Sequence, residues 1–538
     1  MTHMDIVILL VVLVGSLGLA VIFGRYMARM IVYEKRPLEK TLGRVENGFY
    51  KIIGVDKYEQ MTWKQYFLAL VVTNVIAAGF LMAVLLYQNN LPLSPKPGLS
   101  FDLAFNTAAS FVTNTNLQHY AGDQQLSNFS QMVGLIFLMF VAPASGIASA
   151  FAFIRGFIRK EFGLGNFYVD FTRIILTLLL PVSFFAALLL LFLGVPQTLD
   201  STITVGTLQG ASQTITIGPV AALESIKELG SNGGGFFGAN SAHPFENPTG
   251  ISNVFECILM FVIPLSLPIA YGHLLGRGRG ISILAAMLIG FGVMLTLGLS
   301  EPSGPTGLET RFGNFGSTLF METSVSTNTG AANAALTGMS PNAVIGFFLG
   351  MFVQAIPGAD GTGMMMMLIF VVLTLFLVGL MVGKTPEFMS MKISPRDVKI
   401  AAIVFLIHPA LILIPTVMAY TTESAQSILG AQTTPATFTQ VLYEYSSASA
   451  NNGSDYLGTS ANTPFWNWST AWVMLIGRYA PIGLMLAIAG SFTLRDRKEV
   501  VEPIKTSGFL FVAVLSVMVF ILTALTFFPF LAMGPFSM

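Results

Sequence analysis

The chain has 538 residues, of which 54% are hydrophobic and only 10% charged, with 27 basic residues against 27 acidic ones. Ordinary soluble domains carry about a quarter charged residues, so this composition describes an integral membrane protein, and a net charge of zero gives no reason to expect a nucleic-acid partner. The single cysteine, Cys257, excludes an intrachain disulfide framework; lying in an apolar run, it reads as a small buried hydrophobe.

Met1 to Asp5 lead into an apolar run, Ile6 to Phe23, without a basic leader or a small-residue cleavage pattern, and Arg25 and Arg29 follow it. This predicts a retained membrane helix with the N-terminus outside. Apolar stretches of the roughly 17–25 residues needed to cross a bilayer are predicted at 6–24, 65–87, 131–154, 174–194, 254–274, 281–299, 343–382 (interrupted), 400–420, 467–490 and 508–532. The basic residues test this set of ten. Segments 25–64, 155–173, 275–280, 383–399 and 491–507 hold 23 of the 27 Lys and Arg residues. The alternate segments hold only Lys96, Lys227 and Arg311, and Arg478 lies inside a span. By the positive-inside rule this alternation places both termini outside.

The middle eight spans pair into four units of helix, re-entrant loop, helix, at 63–173, 174–280, 281–398 and 399–506. Residues 1–62 add an N-terminal helix with a cytoplasmic loop, and 507–538 add a C-terminal helix. Short stretches at Leu103–Phe111, Ala221–Leu229, Ser317–Val325 and Phe438–Ser447 are each about two to three turns long, enough to enter the bilayer but not to cross it. Each leads into a polar loop: Thr113-Asn114-Thr115-Asn116, Ser231-Asn232-Gly233-Gly234, Thr327-Asn328-Thr329-Gly330 and Asn451-Asn452-Gly453-Ser454. Any one of these is an ordinary turn composition. Four at one topological position, all on the outer side, predict loops that converge into a carbonyl-lined ion filter, because polar backbone at membrane depth must be satisfied by protein or a water-filled cavity.

The chemistry of such a filter follows from the residue types. Gly233, Gly234, Gly235, Gly330 and Gly453 permit the positive φ that exposes carbonyls, and Thr113, Thr115, Thr327, Thr329 and Ser231 can add hydroxyl oxygens. Asn114, Asn232, Asn328 and Asn452 are expected to brace the loops by side-chain hydrogen bonds. No carboxylate lies in the tetrapeptides; Asp123, Glu246 and Asp455 come later. A neutral site of this kind suits a weakly hydrated monovalent cation rather than calcium or magnesium.

The interrupted span carries Ile356-Pro357-Gly358-Ala359-Asp360-Gly361-Thr362-Gly363. Proline and three glycines predict a helix break, and a break at that depth predicts a gate or pathway element below the filter, with Asp360 as a cation-attracting charge. A buried kink or an interfacial loop is the alternative. Arg478, inside the apolar span Trp472 to Leu486, is expected to anchor a filter loop or repel stray ions, with structural bracing as the alternative.

Weaker signals point nowhere. Gly379 to Thr385 is one residue short of a phosphate-binding loop and ends a membrane span. His119, His243, His273 and His408 lack metal-ligand spacing, and most of them read as loop or interface residues. Met364 to Met367 read as packing.

The strings Thr113-Asn114-Thr115-Asn116-Leu117-Gln118, Ser231-Asn232-Gly233-Gly234-Gly235-Phe236-Phe237, Phe245-Glu246-Asn247-Pro248-Thr249, Gly383-Lys384-Thr385-Pro386-Glu387-Phe388 and Asn451-Asn452-Gly453-Ser454 together resemble the potassium-binding A subunits of Kdp-type potassium-transporting ATPases. The resemblance runs across essentially the whole chain. It implies an all-α fold of four membrane–pore–membrane repeats with one extra helix at each end, as in the superfamily of potassium transporters. It implies filter roles for Asn114, Gln118, Ser231, Gly233, Asn328, Gly330, Asn452 and Gly453, and functional intramembrane charges at Asp360 and Arg478. It also implies a location in a bacterial or archaeal cytoplasmic membrane and three protein partners: a P-type ATPase B subunit, a C subunit and a small F peptide, besides membrane lipid. The expected ligand is a transported K+ ion, with no ATP bound by this chain, which is therefore not an enzyme by itself. A stand-alone potassium channel or ion-coupled transporter is the nearest alternative, and a secondary transporter of organic solutes the more distant one; the latter predicts two inverted halves instead of four same-sense units.

Overall fold

The computed structural model describes residues 2–34, 39–158, 163–300, 308–423, 426, 434–495 and 504–537. Of the basic residues that bear on orientation, Lys35, Arg36, Arg159, Lys160, Arg497 and Lys498 lie outside the described residues. In chain order the helices are α1 (His3–Ile31), the amphipathic α2 (Glu39–Ile53), α3 (Trp63–Leu86), α4 (Phe101–Val112), α5 (Ser130–Arg155), α6 (Phe167–Phe192), α7 (Val220–Leu229), α8 (Gly250–Leu275), α9 (Arg277–Gly298), α10 (Gly313–Ser326), α11 (Pro341–Val353), α12 (Thr362–Met381), α13 (Pro395–Thr421), α14 (Pro435–Ala450), α15 (Pro464–Thr493) and α16 (Phe509–Met533). Among the described residues ten of these are long and apolar enough to cross a membrane: α1, α3, α5, α6, α8, α9, α12, α13, α15 and α16. The four short helices α4, α7, α10 and α14 fall between successive spans as the sequence predicts.

Local sequence sets the helix starts. Thr62 Oγ1 accepts the Gln65 N–H while Gln65 Oε1 accepts the Thr62 N–H at 2.9 Å, closing a capping box at the head of α3. Thr249 with Ser252 and Ser394 with Asp397 do the same for α8 and α13. The interrupted span is split: α11 stops at Val353, Gln354 takes a left-handed conformation (φ 53°), and α12 begins at Thr362.

Helices α5 and α8 are the most buried spans, and α1 and α16 lie at the periphery. Helix α1 docks on α8, where a Cβ on Gly24 would fall 2.8 Å from the Ile269 side chain. At the other edge, Phe527 of α16 stacks on Phe352 of α11 with ring centroids 3.7 Å apart. The buried stretch Ala142-Pro143-Ala144-Ser145-Gly146 of α5 presents small side chains to the middle of the molecule. There the polar loops crowd in.

Several elements have no counterpart among the predicted ones: α2, a short antiparallel pairing of Glu387–Phe388 with Met391–Lys392, and a longer hairpin. Between α6 and α7, β1 (Thr202–Gly206) pairs with β2 (Ser212–Thr216) as an antiparallel hairpin. The alternation in Thr202-Ile203-Thr204-Val205 and Thr214-Ile215-Thr216 is its signal.

Candidate ion filter and its floor

The four pore helices α4, α7, α10 and α14 end in the same way. The residue that leaves each helix is left-handed: Asn114 (φ 68°), Ser231 (49°), Asn328 (50°) and Asn451 (55°). The next N–H folds back to a carbonyl five residues earlier: Thr115 to Ser110 (2.9 Å), Asn232 to Lys227 (2.9 Å), Thr329 to Ser324 (2.8 Å) and Asn452 to Ser447 (2.9 Å). This is the Schellman stop, which satisfies the last helical carbonyls within the chain. It leaves the partial negative charge of each helix C-terminus directed at the loop that follows.

The shared stop also corrects the alignment of the copies. Structurally, Asn114, Ser231, Asn328 and Asn451 are equivalent, so in the second and fourth loops the register is one residue earlier than the asparagine letters suggest. The backbone conformation at the helix end sets the register, and serine can take that conformation in place of asparagine.

The loops meet. A Cβ on Gly233 would lie 2.6 Å from the Thr115 carbonyl oxygen and 2.9 Å from that of Asn452. On Gly453 it would collide with the Thr115 carbonyl oxygen, and on Gly330 with that of Asn452. Gly234 has the Asn116 carbonyl oxygen at 2.8 Å from the same built position. All four loops therefore touch through glycine backbone and carbonyl oxygens, a convergence that side chains would block.

The asparagines brace unequally. Asn114 Nδ2 reaches across to the second loop, donating to the carbonyls of Gly230 (3.1 Å) and Ser231 (2.6 Å). Asn232 Nδ2 donates to Met139 and Ile226 carbonyls at 3.2 Å each. Asn451 Nδ2 donates to Thr115 Oγ1 and the Met474 carbonyl at 3.0 Å each, a brace the asparagine spacing did not reveal. Asn452 Oδ1 accepts the Ser454 N–H at 3.1 Å. Asn328 Oδ1 and both amide atoms of Asn116 are buried without a partner among the described residues. The hydroxyls pair within their own loops, Thr113 with Thr115 at 2.8 Å and Thr327 with Thr329 at 2.7 Å. Gln118 clamps the second loop: its Oε1 accepts the Gly235 N–H (2.9 Å) and its Nε2 donates to the Gly235 carbonyl (3.1 Å).

A cavity of about 430 Å³ opens onto the loops, with Asn116, Gly234, Gly330 and Gly453 in its wall, one from each loop. Among the described residues, Asp455 is the only charged one lining it. On the other side of the loops, the chain between α11 and α12 closes in. Gly358 N–H donates to the Ser326 carbonyl at the end of α10 (2.9 Å), and Ser231 Oγ donates to Asp360 Oδ1 (3.0 Å). A Cβ on Gly146 would lie 2.6 Å from the Asp360 carbonyl oxygen and 2.7 Å from Arg478 Nη2, so both residues crowd the space that a side chain at position 146 would take. Arg478 is buried and donates to the Ala142 carbonyl at 3.2 Å, while Asp360 Oδ2 is buried without a partner among the described residues. Gly361 (φ 84°) packs directly on the Gly146 carbonyl, and Gly363 lies against Gly358, which folds the segment into a tight knot. Arg478 and Gln354 also line a small chamber of about 30 Å³ with Asn451, Ser449 and His408.

His408, inside α13, departs from the expected loop or interface positions, while His119 lies in a loop as expected but is fully buried. His408 is buried, with Nδ1 2.6 Å from Ser449 Oγ and Nε2 3.1 Å from the Met351 carbonyl oxygen. His119 is buried beside Asn467 (2.7 Å) and Glu444 (3.5 Å). Both are drawn in by polar partners on helices remote in sequence. Cys257 is buried, as its apolar run predicts.

Four same-sense pore helices with converging polar loops, set among the ten apolar spans of the described residues, define a membrane–pore–membrane protein. The fold resembles that of the potassium transporter TrkH from Vibrio parahaemolyticus, with a TM-score of 0.56 over 91% of this chain and 100% of that one at 14% identity. The chain belongs to the family of potassium-transporting ATPase A subunits, matching it over residues 7–537. It is 42% identical, over 99% of both chains, to the potassium-transporting ATPase potassium-binding subunit of Alicyclobacillus acidocaldarius.

Proposed function

We propose that the chain selects K+ from the outer side of a bacterial or archaeal cytoplasmic membrane and hands it to an ATP-hydrolysing subunit. The observation that carries this reading is the shared stop of the four pore helices, which brings Thr115, Gly233, Gly330 and Asn452 to one point beneath a cavity. Backbone carbonyls packed this closely can replace a hydration shell, and their neutrality favours a monovalent ion. The filter is assigned to Thr113–Asn116, Ser231–Gly234, Thr327–Gly330 and Asn451–Gly453, with Gln118 holding the second loop from the side. The knot at Gly358–Gly363 is the floor, where Asp360 offers a carboxylate to an ion that has passed the filter and Arg478 opposes its escape toward α15. Ions leave sideways toward the ATPase subunit. Family membership supports partners of B, C and F type, and the alternation of basic residues supports both termini outside.

Thermal unfolding of the purified chain in K+, Rb+ and Na+ titrations at fixed ionic strength tests the reading. A ligand that binds only the folded state stabilises it by about 2.7 kcal/mol at a hundredfold excess over Kd. Saturable stabilisation by K+ and not by Na+ is expected. Equal responses to both ions would overturn the selective filter.

A further inference from the structure

The fourfold pattern breaks at one position. Ser110, Ser324 and Ser447 are equivalent, each four residues before the left-handed stop, and each hydroxyl closes on its own loop. Ser110 Oγ donates to the Leu117 carbonyl (2.9 Å), Ser324 Oγ donates to the Ala331 carbonyl (2.6 Å), and Ser447 Oγ accepts the Gly453 N–H (2.9 Å). The second pore helix has Lys227 there. Its side chain turns away from its own loop: Nζ lies 2.7 Å from Ser241 Oγ, 3.0 Å from Asn240 Oδ1, 2.7 Å from Glu224 and 2.9 Å from Glu246 Oε2. Glu228 is 3.4 Å away, and all these carboxylates are buried. Glu246 then returns to the loop, its Oε1 accepting the Phe237 N–H at 2.8 Å. A Cβ on Gly235 would lie 2.8 and 2.9 Å from the two carboxylate oxygens, so Glu246 forms the wall behind the glycine run.

That run, Gly233-Gly234-Gly235, is the loop with the least stiffness of its own, since glycine loses the most freedom on ordering. We propose that Lys227 and Glu246 are positioning residues for the second filter loop, an ion-pair clamp that replaces the serine brace of the other three and acts through the Phe237 N–H to aim the loop's carbonyls. This rests on the filter reading above. Charge-assisted hydrogen bonds are shorter and stronger than neutral ones, and a buried ammonium without its acceptors is costly, so the clamp holds one arrangement. It also gives a role to the Phe245-Glu246-Asn247-Pro248-Thr249 string, whose Asn247 carbonyl in turn accepts from Arg311 Nε at 3.0 Å.

The test is K+- and Rb+-stimulated ATP hydrolysis by the complex with its partner ATPase subunits. In metal sites, losing a group that orients a ligand costs about ten- to a hundredfold in affinity. Glu246→Ala is expected to raise the KM for K+ within that range and to weaken the preference for K+ over Rb+, with kcat retained. Glu246→Gln keeps an oxygen for the Phe237 N–H and is expected to shift both quantities the same way by less. If Glu246→Ala does not assemble, Glu246→Gln alone decides. Unmoved KM and ion preference in an assembled Glu246 variant would overturn the clamp, and so would a fall in kcat alone. Gly233→Asp separates the two readings. If it raises KM while the Glu246 variants do not, only the clamp fails; if it too leaves KM unmoved, the filter itself is wrong.

Discussion

Gly453 illustrates how much the site depends on what is missing from a residue. Its φ of 114° is strained for any L side chain, and the Cβ of an alanine would run into the Thr115 carbonyl oxygen of the neighbouring loop. The added atom cannot be accommodated by a side-chain rotation, because its obstacle is backbone. Gly453→Ala is therefore expected to push the first and fourth loops apart and to raise the K+ concentration needed for half-maximal thermal stabilisation by about tenfold or more, the scale on which displaced ligands lose affinity. Gly292 on α9 is the control: nothing lies within 4 Å of a Cβ built there. Gly292→Ala should leave the K+ response as it is. Equal K+ titrations for Gly453→Ala and the wild type would remove Gly453 from the filter.

At the scale of elements, the knot between α11 and α12 should separate binding from passage. Gly361 is left-handed and abuts the Gly146 carbonyl, while Gly358 N–H is tied to the end of α10. Gly361→Ala would lift the knot off α5 without touching the cavity on the other side of the loops. K+-dependent stabilisation should persist in this variant, while K+ uptake by the reconstituted complex falls. Loss of both together would place Gly361 in the filter; loss of neither would leave the knot without a part in transport. The knot was legible beforehand because proline and glycines interrupt an otherwise unbroken apolar run. The pore helices were legible for a related reason: each is too short to span and is followed by turn residues. What stayed hidden depends on partners distant in sequence. The register of the second and fourth loops follows from which residue takes the left-handed stop, and the letters Ser231-Asn232 and Asn451-Asn452 offer two candidates each. Lys227 reads as a stray charge on the outer side until Glu246, 19 residues later, is folded against it. Asn451 braces Thr115 across 336 residues, beyond the reach of any local pattern.

Across the whole molecule, the end where the four polar loops converge and the opposite end are held by different physics. The loops rely on backbone shape and glycine, with few charges besides the Lys227 cluster. The far end of α5 relies on one buried ion pair. Arg155 donates to Asp170 through Nη1 and Nη2, at 2.6 and 2.7 Å, and through Nε to the Ile31 carbonyl at 2.5 Å. Tyr66 Oη donates to Asp170 at 2.8 Å, so α1, α3, α5 and α6 are joined at a single node. Arg155 is almost fully buried, and removing one partner of such a pair strands the other charge at a cost of about 3–5 kcal/mol. Arg155→Leu should therefore lower the unfolding temperature substantially. The shift produced by saturating K+ should nevertheless keep its size, because linkage depends on the affinity of the folded state for the ion and not on how stable the rest of the fold is. A double substitution, Arg155→Leu with Asp170→Leu, removes both charges and should recover part of the lost stability, since a buried pair replaced by apolar side chains is often neutral. If Arg155→Leu abolished the K+ shift while the protein remained folded, the node and the filter would have to be coupled through α5. Its small-residue stretch at Ala142–Gly146 would then be more than a passive surface on which Asp360 and Arg478 rest.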